Sequence, residues 1–501
     1  MNGERVIKKP ARCFRVKHHT AKFIASKDRD FYTFLLYKRL ISTGWQEGGM
    51  RVIIIGAGEV GYHIAKKLSE ENQEVVLIDK DPAKIRRISE NLDVQSFLGS
   101  GTSPQILRGS GVEEAELLVA ATDSDEVNLI ACLLARNLNR HMVKVARVRN
   151  QEYLQEESLF SKDLLGVDLL INTRAMMVET ILGLMEVPGA SEVIDFVGGQ
   201  VKVVSFLITG DSPLAGKQLS ELKAYEGNLL VGAIVRGHKI VIPSGRDTIQ
   251  PHDLVYFVMK KNELAATLAQ FQMVTKPMKN IIIVGAGETG MALATVLEGR
   301  RLNVKLIDHD GERCKKAASL LNRVIVIRGD GADRDLLREE NAGEMDLIVA
   351  VTGDEESNVL ISLLAKDLGA RRTITRVSKL SYMSVVSAVG LDTVINPRMA
   401  AVRAILQYIR RGRILSVAPL REEQAEAIEA EALETSDIVN TPLAKVNFPP
   451  GVILGAIIRG EEIIIPKGGT IVLPHDRIII FAHQQVLPKL EELLTVKLEY
   501  F

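Results

Sequence analysis

The chain has 501 residues, of which 46% are hydrophobic and 25% charged, a composition typical of soluble globular proteins with several domains. Its 63 basic and 63 acidic residues balance, so the net charge indicates neither a nucleic acid partner nor a membrane surface. No run of roughly 18 apolar residues predicts a helix that crosses a bilayer. Three cysteines far apart in the sequence, without metal-ligand spacing, favour reduced thiols and a cytoplasmic protein.

Residues 1–49 differ in composition from the rest of the chain. They contain eleven lysines and arginines against four acidic residues, and they hold the only tryptophan, Trp45. They lack the long apolar core that marks a secretory signal. We interpret them as a basic, poorly ordered extension ahead of Met50, which is a natural start before the first predicted strand. A basic arm for acidic lipid is the less favoured alternative.

A glycine-rich motif follows the first predicted strand. Val52–Ile55 is an apolar run too short for a helix and typical of a buried parallel strand. After the motif, apolar residues recur at helical spacing, and a second strand, Val75–Ile78, then ends in Asp79. This order is the context in which a G-x-G-x-x-G motif binds a nucleotide phosphate. The residues of the motif are Gly56, Ala57, Gly58, Glu59, Val60 and Gly61.

The three glycines and the aspartate have different predicted roles. Gly56 permits a tight turn, Gly58 lets the backbone approach a pyrophosphate, and Gly61 lets the helix pack against the strand. The free N–H groups at the start of that helix favour an anion. Asp79 is placed to accept hydrogen bonds from ribose hydroxyls and to repel a 2′-phosphate, which favours NAD or an adenine nucleotide over NADP. The alternative is a glycine-rich turn without a ligand.

Polar residues also follow the later strands of this domain. Ser100 follows the third strand, where an adenine edge could rest. Thr122 and Asp123 follow the fourth strand, beside the predicted phosphate cleft, and helix capping is an equal alternative for the threonine. Arg147 ends the fifth strand, where it could meet a phosphate or bridge to a carboxylate.

The periodicity changes after this domain. Residues 190–273 contain short strands with alternating hydrophobicity and turn signals, which predict a small α+β domain. His252-Asp253 follows a proline between two such strands, so a turn is favoured over a metal or catalytic pair. A second His-Asp pair, at 475–476, has the same context. The acidic run near 421–435 is interpreted as a solvated face.

The whole arrangement then occurs a second time. The second glycine motif lies 229 residues after the first, and it is again followed by an aspartate, Asp308, at the end of a strand. Asp330, Thr352 and Arg376 match Ser100, Thr122 and Arg147, whereas Gly353 stands where the first copy has Asp123. The two sites could therefore prefer different ligands. The second motif comprises Gly285, Ala286, Gly287, Glu288, Thr289 and Gly290.

Strands that alternate with helices predict an α/β fold with two doubly wound, Rossmann-like parallel sheets, each followed by a small α+β subdomain. Two full copies of the motif and its context make nucleotide binding the expected property of the chain. The predicted domains are 1–49 (extension), 50–172 and 279–401 (nucleotide-binding), and 189–273 and 413–498 (α+β).

The sequence favours a ligand-responsive protein over an enzyme. A dinucleotide-dependent dehydrogenase places an acid–base residue against its substrate, and neither small domain offers a clear acid–base pair. No Cys-His or Ser-His-Asp signature is present, and we assign neither catalytic residues nor metal ligands. An NAD-dependent oxidoreductase is the alternative.

Three segments carry a resemblance to a known family. These are MRVIIIGAGEVG at 50–61, AATDSDEVN at 120–128 and VTGDEESN at 351–358. With its paired N- and C-terminal subdomains, the chain resembles the cytosolic regulators of potassium conductance (RCK domains) from residue 50 to about 498. The extension at 1–49 lies outside the family pattern.

The resemblance implies a function and a site. Such proteins bind NAD(H) and ATP or ADP, and form homo-oligomeric rings at the cytoplasmic face of the inner membrane. There they gate potassium uptake through a TrkH-type membrane subunit. Whether the small subdomains bind a separate effector stays open. The implied site residues are Gly56–Val60, Asp79, Ser100, Thr122, Asp123 and Arg147 in the first copy, and Gly285–Thr289, Asp308, Asp330, Thr352 and Arg376 in the second.

Overall fold

The computed structural model describes most of the chain from residue 50 onward, so the predicted extension lies outside the described residues. Within the described part, no helix has both the length and the apolar character needed to cross a membrane. The chain forms two compact units. The first holds residues 50–173, and the second holds most of the chain that follows. The described residues are 50–161, 164–225, 229–237, 239–271, 277–379, 382, 386, 389–391, 393–409, 414–420 and 424–494.

The first unit is built on one parallel sheet of six strands. Its strands are β1 (Arg51–Ile55), β2 (Glu74–Asp79), β3 (Gln95–Leu98), β4 (Leu117–Ala120), β5 (Val143–Arg147) and β6 (Leu169–Ile171). Their order is β3-β2-β1-β4-β5-β6, with parallel pairing throughout. The direction of winding therefore reverses between β1 and β4, as in a doubly wound dinucleotide-binding fold.

Helices cover both faces of this sheet, which explains why its central strands are apolar without alternation. Ile53 and Ile55 pack into a core with Leu129 and Cys132 on one face, and Ile54 faces the opposite side. Burial raises the pKa of the Cys132 thiol to about 12. The helices are α1 (Glu59–Glu70), α2 (Pro82–Asn91), α3 (Pro104–Gly109), α4 (Asp125–Leu138) and α5 (Gln151–Gln155). Helix α6 (Thr173–Glu186) then leads into the second unit.

The second unit begins with an antiparallel sheet, which occupies the first predicted α+β region. Its strands are β7 (Glu192–Phe196), β8 (Val201–Leu207), β9 (Leu229–Arg236), β10 (Lys239–Val241) and β11 (Leu254–Lys260), followed by helix α7 (Leu264–Gln270). The order is β10-β9-β11-β8-β7.

A second parallel sheet follows, with the topology of the first. Its strands are β12 (Asn280–Val284), β13 (Asn303–Asp308), β14 (Ile325–Arg328), β15 (Leu347–Ala350), β16 (Thr373–Arg376) and β17 (Thr393–Ile395). Their order is β14-β13-β12-β15-β16-β17, so the predicted duplication of the doubly wound fold is confirmed. Its helices are α8 (Glu288–Glu298), α9 (Gly311–Leu320), α10 (Arg334–Glu339), α11 (Glu355–Asp367) and α12 (Pro397–Ile409).

The chain ends in a second antiparallel sheet. Its strands are β18 (Ile414–Leu420), β19 (Ala425–Glu431), β20 (Val452–Arg459), β21 (Glu462–Ile464) and β22 (Arg477–His483), followed by helix α13 (Leu487–Leu494). The order is β18-β19-β22-β20-β21. Each parallel sheet is thus followed by a small antiparallel domain, as predicted.

The two antiparallel sheets share one hydrophobic core. On β11, Tyr256 and Val258 point into this shared core, while Val255 and Phe257 point into a core that also contains residues of α7. The strand β22 alternates in the same way. Because both faces of these strands are buried, they read as continuous apolar runs rather than as the alternating strands predicted. The shared core includes Phe196, Val201, Val203, Ala233, Val235, Tyr256, Val258, Ala425, Ala427, Ala456, Ile458, Ile479 and Phe481.

The acidic run near residue 425 is buried, which corrects the prediction of a solvated face. Ala425–Glu431 is β19, a strand with a neighbour on each side, and Glu426 and Glu429 are 1% and 2% exposed. Glu429 accepts a hydrogen bond from the Val197 N–H at 3.3 Å and pairs with Arg477. The charge of the segment by itself predicts a position that faces solvent. Here these two partners stabilise the buried Glu429 carboxylate.

The ring of Phe481 fits against glycine in the shared core. A Cβ atom on Gly232 would lie 2.5 Å from Cζ of Phe481, and one on Gly455 would lie 2.8 Å from Cε2. Neither approach leaves room for a side chain. The absence of a Cβ at both positions therefore lets the aromatic ring fill the space between the sheets.

We expect Phe481→Ala to lower the free energy of unfolding by about 3–5 kcal/mol, because it opens a cavity in the shared core. Phe481→Leu should cost less than about 1.5 kcal/mol, because it nearly conserves volume. Gly232→Ala should cost about 1–3 kcal/mol by overpacking, but much less when Phe481 is already alanine. Urea denaturation of the four variants measures these differences, and strictly additive losses would contradict the proposed contact.

Candidate functional site

Each parallel sheet has a crevice where its winding reverses. In the first sheet β1 lies between β2 and β4, and the loops that leave β1 and β4 diverge to opposite faces. Ligands of open α/β sheets bind at the carboxyl ends of the strands at such a point. The predicted glycine loop and Thr122 lie at these two strand ends, and the second sheet repeats the arrangement.

The first glycine of each motif makes the turn out of the strand. Gly56 and Gly285 have φ angles of 106° and 111°, a region that favours glycine. Their space is limited as well, because a Cβ on Gly56 would lie 3.0 Å from the Thr122 nitrogen, and one on Gly285 would lie 2.9 Å from the Thr352 nitrogen. The turn therefore needs glycine for both its conformation and its packing.

The second and third glycines differ sharply in their surroundings. A Cβ on Gly61 or Gly290 would lie 1.8 Å from the carbonyl oxygen of the first glycine in the same loop. With any side chain there, the helix could not pack against the loop as it does. A Cβ on Gly58 or Gly287 would meet no protein atom within 4 Å. The middle glycine therefore faces open space, as a position that admits a ligand to the backbone must.

Each helix begins directly after this open glycine. Glu59 and Glu288 are the first residues of α1 and α8, and a glycine offers no side chain to cap the N–H groups of the first turn. Val60 is buried and Thr289 half-buried at the next position. The helix N-terminus is therefore available to an anion above the open glycine.

The strand-end aspartates fix the glycine loops. Asp79 Oδ2 accepts from the Ala57 N–H at 2.6 Å, and its Oδ1 accepts from the Asp81 N–H at 2.9 Å. Asp308 makes the equivalent pair of bonds at the same distances, its first donor being Ala286. A carboxylate oxygen has a second lone pair, so both aspartates can still accept from a hydroxyl.

A histidine and an arginine lie near the aspartate in the second copy. His309 Nδ1 lies 3.6 Å from Asp308 Oδ1, and Arg313 Nη1 lies 3.8 Å from Asp308 Oδ2. The first copy has Lys80 and Lys84 at the two positions. The aspartate itself is retained in both.

Ser100 and Asp330 lie in tight turns after the third strand of each sheet. Ser100 Oγ is 2.8 Å from Thr102 Oγ1, and Asp330 Oδ1 accepts from the Ala332 N–H at 2.9 Å. The glycines that follow bring these turns against the first strand. A Cβ on Gly101 would lie 2.2 Å from a side-chain atom of the last residue of β1, and the second copy repeats the contact at 2.2 Å.

A buried asparagine organises the end of the fourth strand, a role that the sequence did not reveal. Asn128 Oδ1 accepts from the Thr122 N–H at 2.9 Å and lies 2.7 Å from Thr122 Oγ1. Its Nδ2 donates to the carbonyls of Thr122 and Arg147 at 3.2 and 2.8 Å. Asn358 makes the same four contacts in the second copy. The signal in the sequence is an asparagine six residues after the threonine in both copies.

The capping alternative for the threonines is wrong. The N-cap of α4 is Ser124, whose Oγ accepts from the Val127 N–H, and the N-cap of α11 is Asp354. Thr122 and Thr352 instead lie two residues before these N-caps, where the asparagines hold them.

Arg147 bridges to a carboxylate in the first copy. Its Nη1 lies 3.2 Å from Asp123 Oδ1, and Arg149, missed by sequence reasoning, adds a contact to the Asp123 carbonyl. Arg149 also lies 3.7 Å from the buried Asp125. Burial lowers the pKa of Arg147 and so does Arg149, while Asp123 raises it.

Arg376 has a different environment in the second copy. Gly353 supplies no carboxylate, and Arg376 Nη1 donates to the Thr352 carbonyl at 3.2 Å. Burial lowers the pKa of Arg376, Glu355 raises it, and Arg398 lowers it. Two guanidinium groups therefore act on each other at this end of the second crevice.

The second glycine loop also receives a residue from the first half of the chain. Arg174, at the start of α6, forms an ion pair with Glu288. Its side chain is 14% exposed, against 75% for the glutamate. In the first copy, Glu59 instead lies near His63 and Arg87, at 3.8 and 3.5 Å. Sequence patterns do not reveal such contacts between distant segments.

The two His-Asp pairs of the antiparallel domains form turns, as predicted. Asp253 and Asp476 are buried, and each binds an arginine through two hydrogen bonds of 2.8 to 3.0 Å. These arginines are Arg236 and Arg459. The aspartates therefore stabilise the antiparallel domains rather than add to the crevices.

Comparison with known proteins identifies the family. The TrkA-N domain matches residues 52–173 and 281–397, and the TrkA-C domain matches residues 203–272 and 427–495. The Trk system potassium uptake protein TrkA of Halomonas elongata is 35% identical over 421 residues, covering 83% of this chain and 92% of its own. The chain belongs to the TrkA family. The predicted resemblance is confirmed.

Further relatives of this TrkA-family chain agree. TrkA homolog 1 of Methanosarcina mazei is 38% identical over 426 residues, covering 84% of this chain and 94% of its own. Both relatives are named as Trk system potassium uptake proteins, which agrees with the prediction of a protein that is not an enzyme. The crystal structure of the GsuK RCK domain, at 18% identity and a TM-score of 0.57, covers 90% of this chain and 96% of its own and shows the same fold.

We expect Asn128→Ala to lower the free energy of unfolding by about 3 kcal/mol, because it leaves a buried N–H and two carbonyls without partners. Asn137→Ala on the exposed side of the same helix should change it by less than about 0.5 kcal/mol. Urea denaturation compares the two variants. Equal effects would show that the hydrogen bonds of Asn128 do not set the stability of this strand end.

Proposed function

We propose that this TrkA-family chain is the nucleotide-sensing peripheral subunit of a potassium uptake system. It binds NAD(H) and ATP or ADP in its two crevices. It acts as a homo-oligomeric ring on the cytoplasmic face of the inner membrane and gates potassium uptake through a TrkH-type membrane partner.

One observation supports nucleotide binding above the others. In both copies the backbone is open at Gly58 or Gly287, and a fixed carboxylate, Asp79 or Asp308, lies at the neighbouring strand end. The open glycine suits a diphosphate and the carboxylate suits a ribose, the two groups that a dinucleotide places side by side. A solved structure of the same fold, the GsuK channel, is bound to NAD, with a TM-score of 0.58 at 18% identity.

The family supports the potassium function. The relatives are named as Trk system potassium uptake proteins. The match to this chain covers more than nine-tenths of the length of each of the two relatives described above. Gating follows from linkage, because a nucleotide that binds one state of the ring more tightly shifts the population toward it. A shift from 1:99 to 99:1 needs about 5.5 kcal/mol, which several sites acting together can supply.

We expect calorimetry on the purified chain to show binding of NAD, NADH, ATP and ADP, with weaker binding of NADP because the aspartates repel a 2′-phosphate. Asp79→Ala should weaken binding at the first site about 10- to 100-fold by removing charge-assisted hydrogen bonds to ribose. Asp81→Ala, which removes only the N-cap of α2, is the matched control and should keep affinity.

The same variants test the gating proposal. In vesicles that contain the membrane partner, Asp79→Ala should reduce the response of potassium flux to nucleotide while the ring still assembles. An unchanged response would contradict gating from the first site. Absence of nucleotide binding by the unmodified chain would contradict the proposal as a whole.

The middle and third glycines give a sharper test of the ligand site. Gly58→Val should leave the thermal midpoint nearly unchanged, because a Cβ at this position would meet no protein atom within 4 Å, yet abolish binding at the first site. Gly61→Ala should instead destabilise the fold, because its Cβ would lie 1.8 Å from a carbonyl oxygen. Thermal unfolding and calorimetry on both variants check this, and full binding by the valine variant would place the ligand elsewhere.

A further inference from the structure

The two crevices differ in a single carboxylate beside an otherwise shared arginine. Arg147 and Arg376 both end the fifth strand of their sheets, and Asp123 lies 3.2 Å from the first of them. Gly353 takes the position of Asp123 in the second copy. Among the residues that the structure describes, Arg376 has no ion pair, and its Nη1 donates to a backbone carbonyl.

The surrounding charges extend this difference. In the first crevice Arg149 and Asp125 add one positive and one negative charge, 3.7 Å apart. In the second crevice the position of Arg149 is occupied by Ser378, and the additional positive charge is Arg398, which acts on Arg376. The second crevice therefore has the same number of arginines at this end but one carboxylate fewer.

These arginines lie where the second half of a nucleotide ligand would be. A ligand with its ribose at Asp308 and its first phosphates at Gly287 extends from the glycine loop toward the ends of β15 and β16. In a nucleoside triphosphate the next group is the γ-phosphate, which is anionic. In NAD it is the nicotinamide riboside, which carries hydroxyls and an amide but no negative charge.

We propose that the second crevice selects a nucleoside triphosphate over NAD, that the first selects NAD, and that residues 123 and 353 set this difference. This inference rests on the proposed function. Arg376 donates to a backbone carbonyl and forms no ion pair among the described residues, so it can bind the γ-phosphate through charge-assisted hydrogen bonds. In the first crevice Asp123 forms an ion pair with Arg147 and would repel a further phosphate. Its carboxylate can also accept hydrogen bonds from the riboside.

The experiment first isolates each site in the full chain. Gly58→Val is designed to close the first crevice and leave the second, while Gly287→Val does the reverse, and a Cβ atom at either position would meet no protein atom within 4 Å. Calorimetric titration with ATP and with NAD should then give opposite preferences. The variant with only the second crevice should bind ATP more tightly, and the other should bind NAD more tightly.

The charge is then moved at residue 353. Gly353 does not have a positive φ, and a Cβ there would meet nothing within 4 Å, so the fold accepts a side chain. In the Gly58→Val background, Gly353→Asp should weaken ATP binding at least about tenfold by pairing with Arg376, and should leave NAD binding within about twofold. Gly353→Asn has nearly the same shape without the charge and should change neither affinity by more than about twofold.

The reciprocal change is Asp123→Asn in the Gly287→Val background, which should tighten ATP binding at least about fivefold. Equal ATP-to-NAD ratios at the two isolated sites would overturn the inference. Equal effects of Gly353→Asp and Gly353→Asn would overturn the role of charge. In both cases nucleotide binding itself, and hence the proposed function, would stand, whereas no binding by the unmodified chain would overturn both.

Discussion

In each parallel-sheet domain, the first helix packs closely against the glycine turn that precedes it. The candidate site depends on this packing contact. Gly61 and Gly290 have no room for a Cβ because the carbonyl of the turn occupies that space. The helix can therefore begin immediately after the open glycine. The helix N-terminus then follows the loop directly, and the aspartate at the end of the neighbouring strand accepts a hydrogen bond from the backbone of that loop. The proposed recognition of phosphate and ribose therefore depends on one packing contact.

The sequence was sufficient for the parts of the fold that depend on local patterns. Short apolar runs followed by glycines and by helical periodicity predicted both doubly wound sheets. Parallel strands that are buried on both faces commonly read as such continuous apolar runs. The aspartates and arginines at the strand ends followed from the same order of elements. Ala425–Glu431 shows the limit of this reasoning, because a charged strand becomes buried only through partners that are distant in the sequence.

The contacts missed from the sequence are all long-range or depend on exact distance. Asn128 was visible as a repeated residue, but its four hydrogen bonds require strands β4 and β5 to be neighbours. Arg174 lies in the first half of the chain, and nothing in its own segment predicts an ion pair with Glu288. That pair joins the start of α6 to the first residue after the second glycine loop.

The shared core of the two antiparallel sheets bears on how such a chain could evolve. A protein of half this length, with one sheet, would expose an apolar face and would need a second copy to cover it. In a symmetric pair of that kind, both crevices would have to carry identical residues. Joining the halves in one chain preserves the pairing at high effective concentration and removes the requirement for identity. Asp123 and Gly353 could then diverge independently, as the proposed difference in ligand between the two crevices requires.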